Sequence, residues 1–198
     1  MKRLFIAIPI QDKWGEIFAA YREPMEEFTW LKWEPLPKLH VTVLFVGPAD
    51  EELIPEIEDA LADIVFAQSP FSLSLEKVTY APEGKRASMI WAKWKHQPEF
   101  ATLVARTREE LSYIVGKVDA DPIVAHTTLA RFDKKAIGPK ELVSLNPTHH
   151  EHEEMAVKEI VLMESVDTPT GSTFKEISRF ALNKDSEDIV DKEDIVVS

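Results

Sequence analysis

Apolar residues recur along this chain with two periods, and the switches between them predict the order of elements. From Arg3 to Pro9, Leu4, Ile6 and Ile8 alternate with Phe5 and Ala7, the period of a strand with two apolar faces. Ile10, Trp14, Ile17, Phe18, Tyr21, Met25 and Phe28 then recur at three- and four-residue intervals. That stripe predicts an amphipathic helix, which Pro24 bends or stops. The β-branched run Leu39 to Val46 predicts a buried strand closed by a turn at Gly47-Pro48. Leu53, Ile57, Leu61 and Ile64 mark a second helix. Phe100, Leu103, Val104, Thr107, Leu111 and Ile114 mark a third, from Pro98 to Val115.

Further strands are predicted over 71–80, 87–94, 123–131, 155–166 and 174–182, with a short helix or turn over 138–145. Pro82, Gly84, Lys85 and Arg86 read as a hairpin loop, and Thr168-Pro169-Thr170-Gly171 as a turn. Strands outnumber helices and do not alternate strictly with them, which points to an α+β fold rather than a doubly wound sheet. A strand bearing His-x-Thr and a helix occur in each half, a hint of a duplicated, two-lobed design.

Composition narrows the class. With 198 residues, 44% of them hydrophobic and five tryptophans, the chain carries enough apolar surface for one globular domain. No run approaches the roughly 20 apolar residues of a membrane-spanning helix, so no membrane association is expected. The opening apolar run, Leu4 to Ile8, stops at Pro9 with no cleavage signal after it, so it is not read as a signal peptide. The absence of cysteine excludes disulfides, a thiolate nucleophile and thiolate metal sites, and fits a cytoplasmic protein.

The net charge of −12 argues against electrostatic coating of long nucleic acid, but not against grasping one terminal phosphate. Residues 184–198 hold six acids and two lysines and no aromatic residue, so they read as a mobile acidic tail following a domain over 1–183.

Two triplets carry the candidate chemistry: His40-Val41-Thr42 and His126-Thr127-Thr128. Random placement of six histidines and eleven threonines predicts about 0.3 such triplets. Both sit in apolar β-like runs, where residues i and i+2 share a face, so each projects an imidazole and a hydroxyl side by side. Histidine titrates near neutrality, so one copy can serve as base and the other as acid, while the hydroxyls hold phosphate oxygens. A single histidine in an apolar strand is more often structural, but a core does not require the same polar pair twice.

Arg131 lies three residues beyond Thr128, on the opposite strand parity. It either turns into the cleft at the strand end, where it can pair bidentately with phosphate, or makes a surface salt bridge. Arg3 and Lys85-Arg86 are weaker phosphate candidates. His149, His150 and His152 with Glu151, Glu153 and Glu154 lack helical ligand spacing and read as a solvated loop. Trp30, Trp33, Trp91 and Trp94 are candidates for stacking a base, with Trp91 and Trp94 on opposite strand faces.

At this point the chain resembles the 2H phosphoesterases, and within them the RNA 2′,3′-cyclic phosphodiesterases, or 2′-5′ RNA ligase-like proteins. The resemblance spans about residues 1–183 and rests on several segments. These are the opening Arg3-Leu4-Phe5-Ile6-Ala7, Trp33 followed by the run from Leu39 to Gly47, the run from His126 to Arg131, and Glu164-Ser165 with Gly171-Ser172-Thr173-Phe174. It implies a two-lobed fold of largely antiparallel sheets, helices outside, with both motifs lining a central cleft.

It also implies hydrolysis of a 2′,3′-cyclic phosphate on RNA ends or nucleotides to a 2′-phosphate, with no metal and no cofactor, and reverse ligation of 2′-5′ ends. By the family's assignment His40 is the proton donor and His126 the proton acceptor, a distinction the residues alone leave open. Thr42, Thr128 and Arg131 would bind the phosphate. Phe174 stands where family members often carry tyrosine, which leaves ring packing rather than a phenol role. A monomer is expected. Competing readings are a cyclic phosphodiesterase of small molecules and an RNA-end or nucleotide-binding module without turnover.

Overall fold

The computed structural model describes residues 1–82, 87–119, 123–132, 153–169 and 171–183. Along them run β1 (Lys2–Pro9), α1 (Lys13–Arg22), β2 (Lys32–Trp33), β3 (His40–Ala49), α2 (Ile54–Phe66), β4 (Phe71–Ala81) and β5 (Met89–Trp94). They continue with α3 (Pro98–Val115), β6 (His126–Arg131), β7 (Glu154–Val157), β8 (Glu159–Thr168) and β9 (Gly171–Ala181). The strands form a four-stranded sheet, β3-β1-β8-β9, and a five-stranded sheet, β2-β6-β5-β4-β7. Every pairing among them is antiparallel, so the α+β reading holds.

One continuous apolar core joins the two sheets. Leu4, Ile6 and Ile8 of β1 share it with Ile57 and Leu61 of α2 and Leu103 and Leu111 of α3. On the second sheet, Trp94 of β5 stands edge-on to Trp14 of α1, ring centroids 4.8 Å apart, and both are almost fully buried. Burial of such large rings against a helix stabilises the inner face of this sheet. Phe5, Ala7 and Val161, on the opposite face of the first sheet, form a separate small cluster with Met163 and Phe174. That second apolar face, legible in the alternation of β1, is one wall of the central cleft.

One local expectation is met, the stop at Pro24, and two change. The first helix ends at Arg22, and Glu23–Met25 continue as a 3₁₀ turn, because Pro24 supplies no N–H to an α-helical ladder. The strand expected over 155–166 is two: β7 pairs with β4 in one sheet and β8 with β1 in the other, the chain crossing between sheets at Lys158. Gly47-Pro48 does not close β3 but lies within it. Gly47 adopts φ +85° inside the strand, a conformation glycine takes without a Cβ penalty. The loop at Lys85 and Arg86, the 138–145 segment, the histidine cluster at 149–152 and the acidic tail lie outside the described residues.

Candidate active site

Each His-x-Thr triplet opens a strand, and each strand carries a bulge directly after its threonine. In β3, Ala7 pairs with Thr42 and Ile6 with Leu44, so Val43 is the extra residue. In β6, Trp91 pairs with Thr128 and Ile90 with Ala130, so Leu129 is the extra residue. A bulge places two consecutive side chains on one face and resets the alternation beyond it. Val43 and Leu44 are accordingly both buried, as are Leu129 and Ala130. Residue i+5 then returns to the face of the histidine and threonine: Phe45 in the first copy, Arg131 in the second.

The alternatives for Arg131 therefore both describe it. Its side chain lines the same cavity as His126 and Thr128 while donating from Nε to Glu34 at 3.0 Å. Its Nη1 also approaches the Met89 sulfur at 3.4 Å. Arg131 is largely exposed while Glu34 is half-buried, so solvent screens the ion pair on the arginine side and leaves the guanidinium available to an anion.

The cavity between the sheets has a volume of about 540 Å³ and brings together His40, Thr42, His126, Thr128 and Arg131. That volume suits a nucleotide-sized ligand. Phe5, Phe45, Trp91 and Phe174 supply its apolar lining, and Arg3 and Lys38 stand at it as further cations. Arg3 is engaged by Asp167 at 2.6 Å, and Lys38 donates to the Ser172 carbonyl at 3.0 Å.

Both imidazoles are oriented by the same device. His40 Nδ1 lies 2.8 Å from the carbonyl of Lys38, and His126 Nδ1 lies 2.8 Å from that of Val124, in each case the residue two positions earlier. A carbonyl only accepts, so Nδ1 carries the proton and donates in both rings, which leaves Nε2 as the working nitrogen. Burial pushes both histidines below their ordinary pKa, against the raising effect of the backbone bond. The positive charge of Arg131 lowers both further, and His126 lowers His40.

The rings differ in their neighbours. His40 meets Phe5 and Phe174, each with centroids 5.2 Å away, the latter edge-on. Phe174 therefore packs as a ring, as its lack of a phenol requires. His126 stacks on Trp91, with centroids 3.8 Å apart and planes 26° from parallel. Of the four candidate tryptophans, only Trp91 reaches the cleft. Trp94 is core, where its Nε1 donates to the buried Thr127 hydroxyl at 3.1 Å, and Trp30 packs on Phe132. Among the described residues no group of three or more His, Cys, Asp or Glu is arranged to hold a metal ion, and no helix is long and apolar enough to cross a membrane.

Phe45, Glu34, Lys38 and the Trp91–His126 stack were not singled out from the residues. Phe45 had a signal, the shared i+5 position in His-x-Thr-x-x-Phe and His-x-Thr-x-x-Arg. The other three arise from contacts between distant segments.

Comparison with known proteins agrees with this geometry. The family described as LigT like phosphoesterase matches residues 7–91, a span that includes His40 and Thr42 and ends before His126. An Archaeoglobus fulgidus protein named RNA 2′,3′-cyclic phosphodiesterase is 28% identical over 178 residues, covering 90% of this chain and 99% of its own. A Bacillus subtilis protein of the same name is 29% identical over 129 residues, covering 64% and 69%. Among solved structures, a Thermus thermophilus protein superposes with a TM-score of 0.79 at 24% identity, covering 91% of this chain and 97% of that one. Escherichia coli LigT in its apo form superposes with a TM-score of 0.74 at 19% identity and the same coverage. LigT has also been solved with 3′-AMP and with phosphate.

Proposed function

We propose that this chain is a LigT-like, two-histidine phosphoesterase that opens 2′,3′-cyclic phosphates on RNA ends or nucleotides to 2′-phosphates without a metal. The observation that carries this reading is the pair of imidazoles with Nε2 free, each beside a threonine, in one cavity of nucleotide size. The names of the archaeal and bacterial relatives support the substrate class.

The steps take the proton roles that the family resemblance implies and place them on this cavity. Neutral His126 takes a proton from water through Nε2 as the water oxygen bonds to phosphorus. The bond from phosphorus to the 3′ oxygen breaks in line, and His40 gives its Nε2 proton to that oxygen. Thr42, Thr128 and Arg131 hold the oxygens that gain charge in between, where positioned donors contribute most. His126 ends protonated and His40 neutral, and exchange with solvent resets both. Burial keeps His126 neutral, as a base must be. It also disfavours charge on His40, so the anionic phosphate must restore the proton His40 donates.

The test is substitution of each histidine. His40→Ala and His126→Ala should each lower turnover of a nucleoside 2′,3′-cyclic phosphate by about 10²-fold or more, with circular dichroism unchanged. Activity within about tenfold of wild type for either variant would remove that histidine from the chemistry.

A further inference from the structure

The two histidines share the backbone bond at Nδ1, the neighbouring threonine and the following bulge, and differ in the aromatic ring against them. His126 lies over the face of an indole at 3.8 Å, while His40 is met by two phenyl rings at 5.2 Å, tilted or edge-on. An indole face carries the most negative quadrupole of the protein aromatics and attracts a cation within about 6 Å of its centroid. A neutral imidazole on that face gains ordinary stacking; an imidazolium gains this attraction in addition. The Trp91 face thus favours the charged form of His126 selectively.

We propose that Trp91 is a positioning residue for His126, holding its ring toward the cleft and stabilising the imidazolium that forms when His126 takes the proton from water. The inference rests on the reading of His126 as proton acceptor. It gives the two otherwise equivalent halves of the site different tasks. The half with the indole receives the proton, and the half with phenyl rings has less to stabilise a cation and gives its proton up. Trp91 is placed for this by β5, where it pairs with Thr128 across the ladder and so lies beside the His126 and Thr128 row.

Other charges face His126 and bear on its titration. Arg131 follows it on β6 and His40 stands across the cleft on β3; Lys93 of β5 is its ladder partner and is paired with Glu76 of β4 at 3.2 Å. Glu34 in turn engages Arg131. Substitution of Trp91 removes none of these charges, and lost burial would raise His126, so a downward shift in His126 alone reports loss of the π face.

The experiment is a proton NMR titration of both histidine rings in the whole protein, for wild type, Trp91→Phe and Trp91→Leu, alongside kcat and KM for a nucleoside 2′,3′-cyclic phosphate. The leucine variant removes the π face and keeps apolar bulk; the phenylalanine variant keeps a weaker face and remains informative if leucine disturbs folding. The expected result is that His126 titrates at lower pH in Trp91→Leu, intermediate in Trp91→Phe, with His40 unmoved. kcat should fall roughly two- to fivefold in Trp91→Leu, partly restored by phenylalanine. An unmoved His126, or equal movement of both histidines, overturns the proposal, because general loosening of the cleft would affect the two alike. Full activity of His126→Ala would instead overturn the catalytic reading, a result the NMR titration does not depend on.

Discussion

At the scale of single residues, the site works through a small number of oriented atoms. The threonine hydroxyls are expected to contribute as donors to a charged acceptor. Thr42→Val and Thr128→Val keep strand propensity and remove the hydroxyl, so each should cost about 1.5–3 kcal/mol in kcat/KM. Steady-state kinetics check this, and unchanged kcat/KM in both variants would take the threonines out of phosphate binding. The histidines predict a pH dependence. Both are held below the ordinary histidine value in the free protein, chiefly by burial. A rate that needs one neutral and one protonated imidazole is bell-shaped, and its limbs belong to the pair rather than to either ring. kcat/KM, which reports the free enzyme, should therefore peak below histidine's ordinary pKa. The bound phosphate anion raises both groups, so kcat should peak at higher pH than kcat/KM. A kcat/KM optimum above neutrality would contradict the assigned desolvation.

At the scale of elements, the two bulged strands do most of the positioning. The alternation of β1, the stripes of α2 and α3 and the pairing of histidine with threonine were legible because they depend on residues within a few positions of each other. The bulges were not. Val43 and Leu129 look like ordinary strand residues, and their displacement appears only when β3 meets β1 and β6 meets β5. That is why Arg131 stood on the wrong parity for the cleft until its ladder was known. The split of β7 from β8 was hidden for the same reason: both runs are apolar, and the choice of partner sheet is tertiary. Gly47 is a third case, its φ of +85° set by the irregular course of β3 near the second bulge at Val46. No atom obstructs a Cβ there, so the cost of substitution is backbone strain. Gly47→Ala should lower stability by about 1–2 kcal/mol. Chemical denaturation measures it, and an unchanged midpoint would show that the strand adjusts without strain.

At the scale of the molecule, two sheets sharing one core present the two His-x-Thr motifs to a single cavity, and the side chains around each motif differ. Phe45 faces Arg131 as its equivalent, and Phe5 and Phe174 face Trp91. We propose that residues 1–183 carry the whole activity, since every residue that lines the cavity lies within them. Deleting 184–198 should leave hydrolysis of a small cyclic nucleotide and the melting temperature unchanged, and a fall of several degrees would show that this segment contributes to the fold. The central claim is that the two motifs alone open a cyclic phosphate, and in one direction. Phosphorus NMR of a nucleoside 2′,3′-cyclic phosphate incubated with the protein in EDTA tests it most directly. Accumulation of the 2′-monophosphate is expected; no turnover, or the 3′-monophosphate as the main product, would contradict the two-histidine mechanism.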